Sequence, residues 1–222
     1  MALGLGDVER LRFKVDMILY LHGFTSGPQS VKARALGERM VARGLAADFI
    51  CPQLPASPAA AVALAAQIIE QHRKVGAGET VAHGKNGGHI MLVGSSLGGF
   101  YATVLAERYD LSAILINPAV IGQLPMEDFI GIHQWLYTGE PFEFTAQHIA
   151  ELRAMDLPRL QKPQRFWLML EKGDETLDYR QAMAYYAGAT QTVLNGGDHT
   201  FTRWADYLDA VIDASLTGRF AA

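Results

Sequence analysis

Residues 91–100 read Met91-Leu92-Val93-Gly94-Ser95-Ser96-Leu97-Gly98-Gly99-Phe100. An apolar run, the mark of a strand buried on both faces, meets a turn of small residues, and a helical pattern follows to Arg108. In the frame G-x-S-x-G, Gly94 and Gly98 flank Ser96 two positions away on either side, which neighbouring Ser95 lacks. A strand bends this sharply into a helix only if those flanking residues are small, and the bend leaves a hydroxyl exposed at the C-terminal edge of a sheet. The spacing makes Ser96 a candidate nucleophile, a role that requires a base within reach.

On both sides of this turn, strand and helix patterns alternate. Met17–Leu21 is a continuous apolar run ending at His22-Gly23, and Ala47–Cys51, Ser112–Ile116, Arg165–Glu171 and Thr190–Leu194 read as further short strands. Helices are predicted over Pro28–Arg43, from Ser57 to about Val75, and over Tyr179–Ala187 and Phe201–Ser215. Ser57 fits an N-cap and Pro58 the first helical position. Residues 76–88 are glycine-rich and read as a loop. Alternation of this kind implies α/β architecture, a sheet of about six mainly parallel strands with helices on both faces. Residues 119–160 break the rhythm: two helix-like pieces carry Phe129, Trp135, Tyr137, Phe142 and Phe144, inserted after a strand at the edge where Ser96 stands. We expect this segment to form a small helical cap on a single domain spanning residues 1–222, with its aromatic residues mainly core.

Composition narrows the function. At 222 residues the chain is long enough to bury a core as one domain, and 50% hydrophobic against 19% charged residues describe a globular protein. A net charge of −4 with scattered Lys and Arg gives nucleic acid no basic patch to bind. Cys51 is the only cysteine, which excludes an intrachain disulfide and a thiolate metal cluster. No two histidines have H-x-x-x-H spacing, and Gly84-Lys85 lacks both the upstream glycine and the following serine or threonine of a phosphate-binding loop. No cofactor or metal is expected. Met17–Leu21 is too short for a secretory core and no run approaches the roughly 20 apolar residues of a membrane span, so a soluble cytoplasmic protein is expected.

A serine hydroxyl needs a base to take its proton, and the base needs an acid to orient it. Hydrolases of α/β type order these as serine, acid, histidine, each following a strand. Asp174 follows Phe166–Leu170, and His199 follows Val193-Leu194 and alone among the seven histidines comes after the last strand. Asp178, one helical turn beyond Asp174, is an alternative acid, whereas Asp198 reads as a turn residue and Glu175 as exposed. The oxyanion formed in such chemistry needs two backbone N–H donors, for which Leu97 and Phe24 stand at the right places, with His22 shaping the loop.

His22-Gly23-Phe24, Gly94-Ser95-Ser96-Leu97-Gly98-Gly99, Asn117-Pro118-Ala119-Val120, Gly173-Asp174-Glu175-Thr176-Leu177-Asp178-Tyr179-Arg180-Gln181-Ala182 and Gly197-Asp198-His199 occur in this order. Together they resemble the YqiA-type bacterial esterases, small α/β-hydrolases, from about residue 17 to the C-terminus. The resemblance implies cofactor-free hydrolysis of a small-molecule carboxylic ester, with Ser96 as nucleophile, Asp174 as acid and His199 as base. The His22-Gly23 strand comes almost first, so a reduced fold without the superfamily's usual two N-terminal strands is expected, and the glycine-rich 76–88 stretch departs from the family pattern in being longer. The same machinery attacks thioesters, so an acyl thioesterase is the nearest alternative, and a non-catalytic binding module of the same fold is a more distant one.

Overall fold

The computed structural model describes residues 15–78 and 89–220. The first strand, β1 (Val15–Leu21), leads to α1 (Val31–Ala42), the two-residue β2 (Phe49–Ile50) and the long α2 (Pro58–Gly78). Next come β3 (His89–Ser95), α3 (Leu97–Tyr109) and β4 (Ser112–Ile116). After an inserted segment holding the hairpin β5 (Gly131–Gln134) and β6 (Pro141–Phe144) and the helix α4 (Ala146–Met155), the alternation resumes. It closes with β7 (Phe166–Glu171), α5 (Tyr179–Tyr185), β8 (Thr190–Leu194) and α6 (Trp204–Thr217).

Six strands pair in the order β2-β1-β3-β4-β7-β8, every pair parallel. The side chains follow the two-residue period of a strand. Ile18, Tyr20, Met91, Val93, Trp167 and Met169 face α1 and α6, while Leu19, Leu21, Leu92, Phe166, Leu168 and Leu170 face α2, α3 and α5. Burial on both faces explains why these strands are apolar without interruption. The chain runs from β1 outward to β2 and then returns to the other side of β1 to form β3. Loops leaving the C-terminal ends of such neighbours diverge to opposite faces and open a crevice between them. The turn at Ser96 and the His22-Gly23-Phe24 loop meet there.

The helix starts follow the chemistry read from the sequence, with small shifts. Ser30 caps α1 by accepting from the Ala33 N–H, so the helix begins later than Pro28. Ser57 accepts from the Ala60 N–H and Pro58 opens α2. Of the stretch expected to be a loop at 76–88, residues 76–78 instead close α2, and 79–88 lie outside the described residues, as do the first 14 residues. Residues 119–160 differ more. One helix-like piece is α4, but the other is a β-hairpin, preceded by two short 3-10 turns. Ile132 and His133 alternate exposed and half-buried in that hairpin rather than following a helical stripe, and its aromatic content suits a pleated surface. Among the described residues, no helix is long and apolar enough to cross a membrane.

Candidate active site

Ser96 sits at the tip of the turn with φ 55° and ψ −123°, a backbone region that non-glycine residues seldom enter. The strained bend persists because its neighbours over-determine it. The Ser96 N–H donates to Ile116 O (3.0 Å), and Ser96 O accepts from Gly99 N (2.8 Å) and Ala119 N (3.1 Å). Gly94 and Gly98 are required by close approach: a Cβ at Gly94 would overlap the Gly98 carbonyl, and one at Gly98 would overlap the Leu21 carbonyl of β1.

β7 and β8 remain paired beyond their last strand residues, Lys172 N donating to Leu194 O and Gly173 N to Gly196 O (2.9 Å each). That pairing brings the loop carrying Asp174 alongside the loop carrying His199. His199 Nδ1 lies 2.8 Å from Asp174 Oδ2, and Nε2 lies 3.0 Å from Ser96 Oγ. A carboxylate accepts only, so the proton sits on Nδ1 and Nε2 presents its lone pair to the hydroxyl. The Asp174 side chain is 2% exposed and its Oδ1 also accepts from Thr176 N (2.9 Å) and Leu177 N (2.8 Å). Asp178 faces elsewhere: it caps α5 and pairs with Arg180. Asp198 forms a local turn, accepting from Thr200 N (2.8 Å), and exposed Glu175 accepts from His199 N (3.0 Å).

Phe24 and Leu97 both border the cavity into which Ser96 points, and among the described residues no protein acceptor takes either backbone N–H. Gly23 brings the loop close, since a Cβ there would stand 3.2 Å from Ser96 Cβ. His22 is 2% exposed, accepts from Leu54 N through Nε2 (3.0 Å) and places Nδ1 3.0 Å from Gly23 O. Burial lowers its pKa, so it stays neutral and ties two loops together. The cavity measures about 630 Å³ and is walled mainly by apolar residues, among them Ile121, Leu124, Met126 and Phe129 from the insertion.

Three groups escaped the sequence reading. Asn117, φ 40° and 1% exposed, donates from Nδ2 to Asp198 O (3.1 Å) and His199 O (3.2 Å), while its Oδ1 accepts from Glu171 N (3.1 Å). Glu171, fully buried, accepts from Asp198 N, Thr202 N and Oγ1, and Arg203 N and Nε. Burial alone would raise its pKa, but these donors pull it down to about 2. The available signal was a charge closing an otherwise apolar strand, since buried charge demands partners. The third is the Phe24 ring, enclosed edge-on by Phe129, His133, Phe142 and Phe144 at centroid distances of 4.9 to 5.9 Å. Much of the insertion's aromatic content is therefore spent on gripping this loop.

Of the other histidines, His133 lies 2.7 Å from Phe129 O, and His148 completes the capping box of α4. Cys51 is a half-buried thiol whose pKa burial pushes up to about 12, which keeps it unreactive. Among the described residues, no group of three or more His, Cys, Asp or Glu side chains is gathered so as to hold a metal ion.

Residues 17–215 match the family described as Uncharacterised protein family (UPF0227). The chain belongs to this family. It is the YqiA-like group that the motifs resemble. Among solved structures, the chain is similar to a protein of Agrobacterium vitis S4, with a TM-score of 0.63 and 17% identity over 90% of this chain and 87% of that one. Mouse alpha/beta hydrolase domain-containing protein 10 gives 0.60 and 20%, covering 90% and 89%. Est1E from Butyrivibrio proteoclasticus gives 0.59 and 14%, covering 92% and 88%. At these identities the likeness establishes an α/β-hydrolase fold and nothing finer.

Proposed function

We propose that this family member is a serine carboxylesterase acting through an acyl-enzyme. The observation that carries the reading is the continuous contact from Asp174 through His199 to Ser96 Oγ, at 2.8 and 3.0 Å, at the wall of an apolar cavity. His199 Nε2 takes the Ser96 proton as Oγ bonds to the ester carbonyl carbon. The carbonyl oxygen becomes an oxyanion held by the Phe24 and Leu97 N–H groups, each worth about 3 kcal/mol in the transition state. As the C–O bond to the alcohol breaks, His199 returns the proton to the leaving oxygen. Water then attacks the acyl carbon with His199 as base, and the acid and free Ser96 are restored. Residues 119–160 serve as a cap whose apolar wall receives the acyl chain.

The experiment is labelling by a fluorophosphonate probe together with turnover of a chromogenic short-chain ester. Labelling at Ser96, and loss of both signals in a folded Ser96→Ala protein with a rate decrease of about 10⁶-fold, are expected. A folded wild-type protein that neither labels nor turns over ester is a binding module instead. Rates on matched oxygen esters and thioesters then separate the esterase from a thioesterase.

A further inference from the structure

Away from Ser96 and toward α1, the wall of the cavity changes character. Ser30, Val31 and Lys32 form it there, at the start of α1. Lys32 is held in place at both ends. Its carbonyl accepts from Trp204 Nε1 at 2.9 Å, and its Nζ donates to Thr200 O at 2.7 Å, one residue beyond His199. Among the described residues no Asp, Glu or Arg borders the cavity, and Lys32 is the one lysine on its wall.

A lysine at a surface ordinarily points its ammonium into water or pairs it with a carboxylate. Lys32 is half-buried, and among the described residues no carboxylate forms an ion pair with it. The nearby acids are committed elsewhere: Asp174 to His199, Asp198 to Thr200, and Glu171 to Thr202 and Arg203. An ammonium has three donors, and Thr200 O takes one of them. Burial draws its pKa down to about 8, opposed by the charges of Asp198, Asp174 and Glu171. At neutral pH it is therefore a charged but poorly hydrated donor set facing an apolar cavity, and an anionic oxygen group is the ligand that satisfies it.

We infer that Lys32 is the anion-binding group of this cavity, and that the preferred ester carries a carboxylate or phosphate as well as an apolar acyl body. The inference rests on the esterase reading above and adds the charge of the substrate to it. Both the acyl and the alcohol portion of an ester can bear such a group, and the test has an arm for each.

On the acyl side, the p-nitrophenyl monoester of glutaric acid is compared with p-nitrophenyl valerate. On the alcohol side, 3-carboxypropyl valerate is compared with butyl valerate. The wild-type protein should favour the anionic member of at least one pair. In Lys32→Met the anionic-to-neutral ratio of kcat/KM for that pair should fall roughly 10- to 100-fold, mainly through KM, and Lys32→Arg should restore most of it. Absence of any anionic preference in the wild type overturns the inference. So does an equal loss on both members in Lys32→Met, which would reduce the lysine to a tie on the His199 loop. Binding of the anionic ester to Ser96→Ala, followed by titration calorimetry, reads the anion site without turnover. Equal affinity in Ser96→Ala and the Ser96→Ala/Lys32→Met double variant also overturns it, whereas failure of labelling and turnover in wild type, with that binding intact, sinks the esterase reading alone.

Discussion

The loop carrying His199 and the loop carrying Phe24 flank Ser96 on opposite sides and are secured by different forces. Around His199 the ties are polar: Glu171 and Asn117, both buried, hold the backbone of residues 198–203 through hydrogen bonds. Around Phe24 they are mainly aromatic, with four rings of the insertion packed on one side chain. A base must be held at a set distance and orientation, which directional bonds enforce well. In the proposed reaction the Phe24 loop would present a backbone N–H beside the cavity, a task that needs bulk support, and rings supply it.

The two sides should therefore fail differently. The largest effect belongs to Asp174→Asn, which leaves the geometry but favours the wrong imidazole tautomer. Steady-state kinetics on a chromogenic ester should show kcat lowered about 10⁴-fold, and a drop of less than tenfold would move the acid elsewhere. Glu171→Gln comes next. Its amide can no longer accept from every donor of the loop, and a displaced His199 should lower kcat about 10- to 100-fold with KM little changed. An increase in KM alone would show that Glu171 does not position the base.

The same residue gives the polar side a pH signature. The folded-state pKa of Glu171, about 2, lies below its ordinary value of 4.5. Its stabilisation is thus fully present above pH 4.5 and is lost as pH falls toward 2. A depression of this size corresponds to a contribution on the order of 3 kcal/mol. Denaturant midpoints of the wild type should decline through that window, and those of Glu171→Gln should decline less. Parallel curves would break the contrast between the two loops.

Phe24→Ala tests the aromatic side. The backbone N–H remains, so activity should fall by less than about tenfold, while stability drops by about 1–3 kcal/mol, with no pH dependence of its own. A loss of activity as large as that of Asp174→Asn would mean that the rings orient the donor itself. The smallest effect is expected from Asp178→Ala, which removes the N-cap of α5 at a cost of about 1 kcal/mol and should leave kcat as it is. Thermal melts and kinetics of the pair Asp174→Asn and Asp178→Ala together distinguish the two candidate acids.

Most of the frame was legible because its signals are local. Gly94, Ser96 and Gly98 declare their turn within five residues, and the apolar runs of β1, β3, β4 and β7 announce burial on both faces. The hairpin at 131–144 was misread because aromatic residues at short spacing suit a helix face and a pleated strand about equally well. Pairing between β5 and β6 decided between them. Asn117 stood in plain view after β4, but nothing in its neighbourhood shows that residues 81 and 82 positions later would take its side-chain protons.

By itself the sequence determined the alternation of strands and helices, the turn at Ser96 and the chain order of serine, acid and histidine. Each of these depends on residues a few positions apart, whose sterics and polarity act before any distant contact forms. Only the tertiary structure decided which aspartate meets His199, that Glu171 and Asn117 secure its loop, and that Lys32 stands on the cavity wall. Those outcomes depend on which strand ends the sheet order places side by side, a matter of packing between segments far apart in the chain.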